Sequence, residues 1–139
     1  LLTAGTPVQA HYYAALPLEA DQGHLFVRAT VSGHPARLLF DTGAFTLLKS
    51  QAAAAWRLPE VGRTAVRDAS GAKAVLGLVA LDTLRLGALV LTGLAAATQS
   101  LEANPQLACR LQGSAGLLGV NALRHSLVQI DLAGMRLHL

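Results

Sequence analysis

The seven residues Leu38-Leu39-Phe40-Asp41-Thr42-Gly43-Ala44 decide how this chain reads. An apolar strand runs straight into an acid, a small hydroxyl residue and a glycine. That order presents one carboxylate from a tight turn whose backbone amides can donate to it. The bare triplet Asp-Thr-Gly also arises by chance in chains of this length. A strand-end turn in which Asp41 caps its own backbone accounts for it as well. The surroundings must decide.

Upstream, Leu25, Val27, Ala29 and Val31 alternate with Phe26, Arg28, Thr30 and Ser32, which is the period of a strand. Ser32-Gly33-His34-Pro35 is a turn signature, and Ala36 to Phe40 returns as the second strand of a hairpin. Downstream, Ser50 to Leu58 predicts a helix, capped by Ser50, filled with alanines and stopped by Pro59. Val61 to Arg67 follows as a strand, then a turn at Asp68-Ala69-Ser70-Gly71 and a long β-rich stretch from Ala74 to Leu86. Gly87 makes the next turn, Val90 to Thr98 continues as strand, and Asn104-Pro105 marks a loop. A short helix is expected at Asn121 to His125, and strands at Val128 to Ile130 and Met135 to Leu139. Residues 1–22 read as an irregular lead and 23–139 as one domain. Many short strands with one or two short helices predict a mostly-β closed or sandwiched sheet.

Composition narrows the class. The chain has 139 residues, 53% hydrophobic and 14% charged, against about a quarter charged in an average protein. A disordered chain lacks the apolar surface to offset ordering entropy, so that reading is excluded. No stretch approaches about 18 uncharged apolar residues, so no membrane-spanning helix is expected. The net charge is +3, yet the nine Arg and two Lys are scattered. Nucleic-acid binding needs a concentrated basic stripe, and none is present in the sequence. Cys109 is alone, which rules out an internal disulfide and a cysteine-rich zinc site. The five histidines show no pair at metal-ligand spacing, and Ser126 beside His125 lacks a nucleophile elbow. Gly113, Gly116 and Gly119 precede no Lys-Ser/Thr, so no phosphate loop forms. Trp56 reads as a core anchor on the Ala-rich helix. So low a charge in so small a chain implies apolar surface covered by a partner subunit.

A second cluster, Leu117-Leu118-Gly119-Val120-Asn121-Ala122-Leu123, begins 76 residues after Asp41: two apolar residues, a glycine, then a short helix. Together the two clusters resemble the retropepsin-like aspartic proteases, the single-domain bacterial type above all. These combine an apolar strand ending in Asp-Thr-Gly with a later apolar-apolar-Gly strand that threads beside the catalytic loop. The resemblance covers roughly Gly23 to Leu139 and implies an acid-protease barrel protomer. It implies that Asp41 is the catalytic aspartate, that the Thr42 hydroxyl interlocks with a partner loop, and that the Gly43 carbonyl holds substrate backbone. Ala44 and Phe45 fall in the substrate-binding stretch, and Ser70 and Gly71 fall where the family places the tip of its flap. A flap needs a small, flexible tip to lift and close over an extended peptide.

One departure stands out. Viral relatives carry an acid two places after the catalytic glycine and an Arg directly after the later glycine, as an ion pair. Here those places hold Phe45 and Val120. An apolar contact is expected to replace the buried pair without leaving an orphan charge.

The chain holds one Asp-Thr-Gly, and the chemistry needs two carboxylates about 3 Å apart sharing a proton. Asp68, Asp82 and Asp131 sit in turns or polar strand positions. The resemblance therefore implies a twofold homodimer with Asp41 from each copy at the axis, acting on a peptide or protein substrate without metal or other cofactor. Such a pair titrates as a unit, and activity is expected at acidic or mildly acidic pH. Two alternatives stay open: a binding or assembly module without proteolysis, and half of a longer two-motif chain. The start at Leu1-Leu2-Thr3, with Met135 the sole Met, is expected for a trimmed piece. Any signal or membrane anchor is then expected outside it, as in an exported or anchored protein.

Overall fold

A computed structural model describes residues 14–67, 70–102 and 104–139. The architecture is mostly β, as expected, with three short helices rather than one or two. The hairpin before Asp41 consists of β3 (His24–Val31) and β4 (His34–Phe40), in register from Phe26 opposite Leu39 to Val31 opposite His34. Ser32 and Gly33 both take positive φ, 47° and 84°, which gives a two-residue turn matching the twist of the paired strands. Further strands are β5 (Leu47–Lys49), β6 (Glu60–Arg67), β7 (Lys73–Leu86), β8 (Leu89–Gln99) and β9 (Gly116–Leu118).

The expected irregular lead is corrected over its described part. Ala15–Pro17 and Glu19–Asp21 form strands β1 and β2, while residues 1–13 lie outside the described residues. Strand β2 extends the main sheet beside β3. Strand β1 joins β10 (Gln129–Asp131) and β11 (Arg136–His138) in a small sheet of order β1-β11-β10. Glu19 pins this edge, because its carboxylate accepts from Arg28 Nε at 2.7 Å and Arg37 Nε at 2.9 Å.

The main sheet runs β2-β3-β4-β9-β5-β8-β7-β6, and β3 pairs again with β7 at Val31–Leu84. That extra pairing closes six strands into a small barrel, with β2 and β6 outside the ring. Strand β9 lies between β4 and β5 in this ring, parallel to β4 and antiparallel to β5, so Leu117 sits opposite both Leu39 and Leu47. The alternation of strands divides these residues between two apolar clusters. Leu38, Leu48 and Leu118 join Val27, Val31 and Leu84 in the larger one. Leu39, Leu47 and Leu117 join Phe26, Leu76 and Leu111 in the smaller one. Strands buried on both faces carry unbroken apolar runs, which is why Leu38-Leu39-Phe40 shows no polar alternation.

The helices depart from expectation in their ends. Helix α1 spans Ser50–Ala55; Lys49 holds the cap position without a side-chain bond, so Ser50 is the first helical residue and no cap. The helix stops before Pro59, where Arg57 turns left-handed at φ 53° and the amides of Trp56, Arg57 and Leu58 fold back onto the last carbonyls. Trp56 packs against the larger cluster and stacks on His34 with ring centroids 5.4 Å apart. The expected loop at Asn104-Pro105 instead opens helix α2 (Pro105–Arg110), with Asn104 Oδ1 accepting from the Leu107 amide at 3.1 Å. An Asn cap followed by Pro at the first position is the helix-start signal the loop reading passed over. Helix α3 spans Val120–Leu123.

Leu48 is fully buried. Its replacement by Ala should cost about 2–5 kcal/mol, read as a lower denaturant midpoint at unchanged slope. Val61→Ala, at an exposed site on β6, should stay within about 0.5 kcal/mol. The Arg28 and Arg37 hydrogen bonds hold the Glu19 carboxyl below the usual glutamate range. Its stabilising contribution is therefore complete above the unfolded-state value and is lost as pH falls through the lower folded one. Acid titration of Glu19→Gln should show a shallower loss of stability below the usual glutamate range than the parent protein.

Candidate active site

Strand β4 ends at Phe40, and the chain turns at Asp41-Thr42-Gly43 before entering β5. The turn is tied from below: the Asp41 amide donates to the Leu118 carbonyl of β9 at 3.1 Å. Asp41 Oδ1 accepts from the Gly43 amide at 2.9 Å, so the local bond foreseen for a strand-end turn is made. The other oxygen, Oδ2, lies 3.0 Å from Arg110 Nη2 at the end of α2. The Asp41 side chain keeps 25% of its exposure and Arg110 keeps 44%. An ion pair so open to water contributes about 0–1 kcal/mol, which makes it separable. Thr42 and Gly43 are exposed at the crest of the turn.

The apolar-apolar-Gly segment locks this turn by backbone proximity. A Cβ on Gly116 would collide with the Leu47 carbonyl, and one on Gly119 with the Ala44 carbonyl and the Thr46 amide. Only a residue without a side chain allows β9 to slide this close. The Val120 amide donates to the Ala44 carbonyl at 2.7 Å. Thr46, 1% exposed, accepts from the Gly119 amide through Oγ1 at 3.0 Å. Its own amide donates to Asn121 Oδ1 at 2.8 Å, and Asn121 Nδ2 donates to the Ala95 carbonyl at 2.9 Å. A closed set of polar bonds thus joins the loop after Asp41, helix α3 and strand β8. In a buried setting such a set fixes geometry because leaving any member unpaired is costly.

Gly43, Ala44 and Phe45 border a groove of about 380 Å³. Leu47, Ala97 and Leu117 form its floor; Val66, Arg67, Lys73 and Leu76 of the β6–β7 hairpin form the opposite wall. Ser70 and Gly71 are exposed at the hairpin end, with Gly71 at φ 84°, and Ala72 rather than either of them reaches the groove lining. Asp68 and Ala69, the first half of the expected turn, lie outside the described residues. Phe45 and Val120 do not bury one another as expected: they remain 41% and 46% exposed on either side of the turn. Asp131 accepts from the Gly134 amide at 2.9 Å, a local role in its own turn. Among the described residues no second carboxylate is paired with Asp41.

Thr46, Asn121 and Arg110 escaped the sequence reading. A threonine inside the apolar run Phe45-Thr46-Leu47-Leu48 is a signal for the first, since a buried hydroxyl needs a partner. Arg110 gave none, because its pairing spans 69 residues and depends on α2.

A small closed barrel, with an Asp-Thr-Gly turn beside an inserted strand and a groove under a hairpin, defines the retropepsin-like class of folds. A family model described as aspartyl protease matches residues 27–122, and the chain belongs to that family of retropepsin-like aspartic proteases. The fold is similar to the crystal structure of a retropepsin-like aspartic protease from Rickettsia conorii. The two share 18% identity at a TM-score of 0.59, over 91% of this chain and 88% of that one. It is also similar to the retroviral protease-like domain of Ddi1 from Leishmania major, at 16% identity and a TM-score of 0.52, over 87% and 95% of the two chains. No curated protein sequence matches the chain.

Thr46→Val keeps the side-chain volume but leaves the Gly119 amide without its acceptor. It should cost about 1–3 kcal/mol in equilibrium unfolding, while Thr46→Ser, which retains the hydroxyl, should recover part of that loss.

Proposed function

We propose that this protein is an aspartic endopeptidase that works as a twofold homodimer, with Asp41 of each copy forming the catalytic pair. The observation that carries the reading is the placement of Asp41: a partly exposed carboxylate on a backbone-locked turn whose next residues, Gly43 to Phe45, border a groove with an apolar floor. In the proposed cycle the ionised Asp41 takes a proton from a water as its oxygen adds to the scissile carbonyl carbon. The other, protonated Asp41 gives its proton to the carbonyl oxygen. The first then protonates the amide nitrogen as the C–N bond breaks, while the second takes back a hydroxyl proton, which returns the pair to one shared proton. No covalent intermediate and no metal or cofactor enters these steps. In this reading Thr42, exposed on the turn, interlocks with the second loop, supported by its exposure and by the apolar surface of the exposed Phe45 and Val120. The Gly43 carbonyl, with Ala44 and Phe45, holds an extended peptide along the groove, and the β6–β7 hairpin with Ser70 and Gly71 at its end serves as the flap. Arg110 must leave Asp41 Oδ2 for the second carboxylate to approach, and its exposure makes that separation inexpensive.

The Arg110 contact favours a second reading, a binding or assembly module in which the lone carboxylate is neutralised within one chain and does no chemistry. Asp41→Asn separates the two, since an amide oxygen can still accept from the Gly43 amide and preserve the turn. Peptide hydrolysis should disappear at unchanged thermal unfolding, and a pepstatin-type inhibitor should suppress the parent protein. Sedimentation should give a dimer under the conditions of activity. Retained turnover in Asp41→Asn refutes the protease reading. A stable dimer that cleaves no peptide, with or without Arg110→Gln, establishes the second.

A further inference from the structure

We propose that the groove selects peptides carrying acidic side chains beside an apolar residue, with Arg67 and Lys73 as the residues that read the acid. This deepens the protease reading and rests on it. Among the described residues lining the groove, the charged ones are Arg67 and Lys73, and no Asp or Glu joins them. The two stand directly opposite each other across the β6–β7 pair. Opposed residues of an antiparallel pair project from the same face, so two like charges share one side of the hairpin. That placement is unfavourable in the free protein, and a carboxylate between them relieves it.

Both cations are exposed, and neither forms an ion pair among the described residues. By contrast, Arg28 and Arg37 are taken by Glu19, and Arg110 by Asp41. Among the described residues the two charges of the groove wall are thus left without an ion-pair partner. The floor of Ala44, Leu47, Ala97 and Leu117 is apolar and offers nothing to a charged side chain. An extended peptide presents alternate side chains to opposite sides. One set therefore meets the apolar floor; Arg67 and Lys73, which by alternation project from the hairpin face opposite Val66 and Leu76, meet the flanking set at the groove's rim. A substrate with Lys or Arg at the flanking positions meets like charge and is disfavoured.

The test uses three labelled peptides, identical except for Glu, Gln or Lys at the positions flanking one apolar residue. Binding is read by fluorescence anisotropy on Asp41→Asn protein, so that the charge preference is measured whether or not the parent cleaves. The Glu peptide should bind roughly three- to tenfold tighter than the Gln peptide, the size of two partly exposed ion pairs, and the Lys peptide weakest. The preference should shrink as salt is raised. Arg67→Glu with Lys73→Glu should invert the order, and Arg67→Gln with Lys73→Gln should flatten it. Arg85→Glu with Arg124→Glu makes the same change in net charge away from the groove and should leave the order intact. Equal binding of the three peptides, or an inversion produced by the Arg85 and Arg124 changes alone, overturns the proposal. Absence of cleavage by the parent protein overturns the protease reading instead, while the binding order still decides this one.

Discussion

The close approach of β9 to the turn after β4 is the constraint on which the rest of the site depends. Three backbone segments, β4, β9 and β5, must lie side by side where the chain doubles back at Asp41-Thr42-Gly43. Gly116 and Gly119 make that possible, because a Cβ at either would strike the backbone of Leu47 or of Ala44 and Thr46. Once β9 is inserted, the Asp41 amide bonds to Leu118, the Val120 amide to Ala44, and Thr46 and Asn121 complete the lock. The turn is then held from two sides, and its carboxylate has a fixed address without any bulky side chain packed around it. Rigidity of this kind leaves the crest open, which a group meant to meet water or substrate requires.

Burial reinforces the same arrangement. Strands β4, β9 and β5 send alternate leucines into two separate apolar clusters, so shifting any of them along the ladder would disturb both. Register is therefore specified twice over, once by leucines and once by glycines. Strand β7 enters the core at Leu76, Val79, Leu81, Leu84 and Leu86, while most of β6 is exposed and only its Val66 packs against the smaller cluster. A stiff base with a lightly anchored outer strand β6 suits the proposed groove, in which an extended chain is bound under the hairpin.

Legibility followed the range of the interactions. The hairpin before Asp41, the positive-φ turn at Ser32-Gly33 and the apolar runs were readable because turn chemistry and strand period are local. The insertion of β9 was readable only through resemblance, from the pairing of Asp41-Thr42-Gly43 with Leu117-Leu118-Gly119. Strands β1 and β2 were not, because three-residue segments interrupted by Pro17 show no period and exist only through partners β11 and β3. Helix α2 carried its start signal in Asn104-Pro105, but six residues give too little periodicity to set against a loop. The Arg110–Asp41 contact lay beyond reach, since it needs both α2 and the turn to be in place.

Charge and shape around Asp41 point the same way. One carboxylate cannot supply both the base and the acid of water-driven peptide hydrolysis, and within the single chain its free oxygen rests on an arginine. That contact is open to water, so a closer-fitting partner can replace it. The turn meanwhile exposes Thr42 at its crest and leaves Phe45 and Val120 uncovered beside it, a combination of polar crest and apolar flanks that an isologous contact can bury. In the proposed homodimer a second copy brings the same crest, the same flanks and the other carboxylate together. On that reading the strands hold the turn in place, and a twofold axis through its crest joins the two carboxylates that the hydrolysis needs.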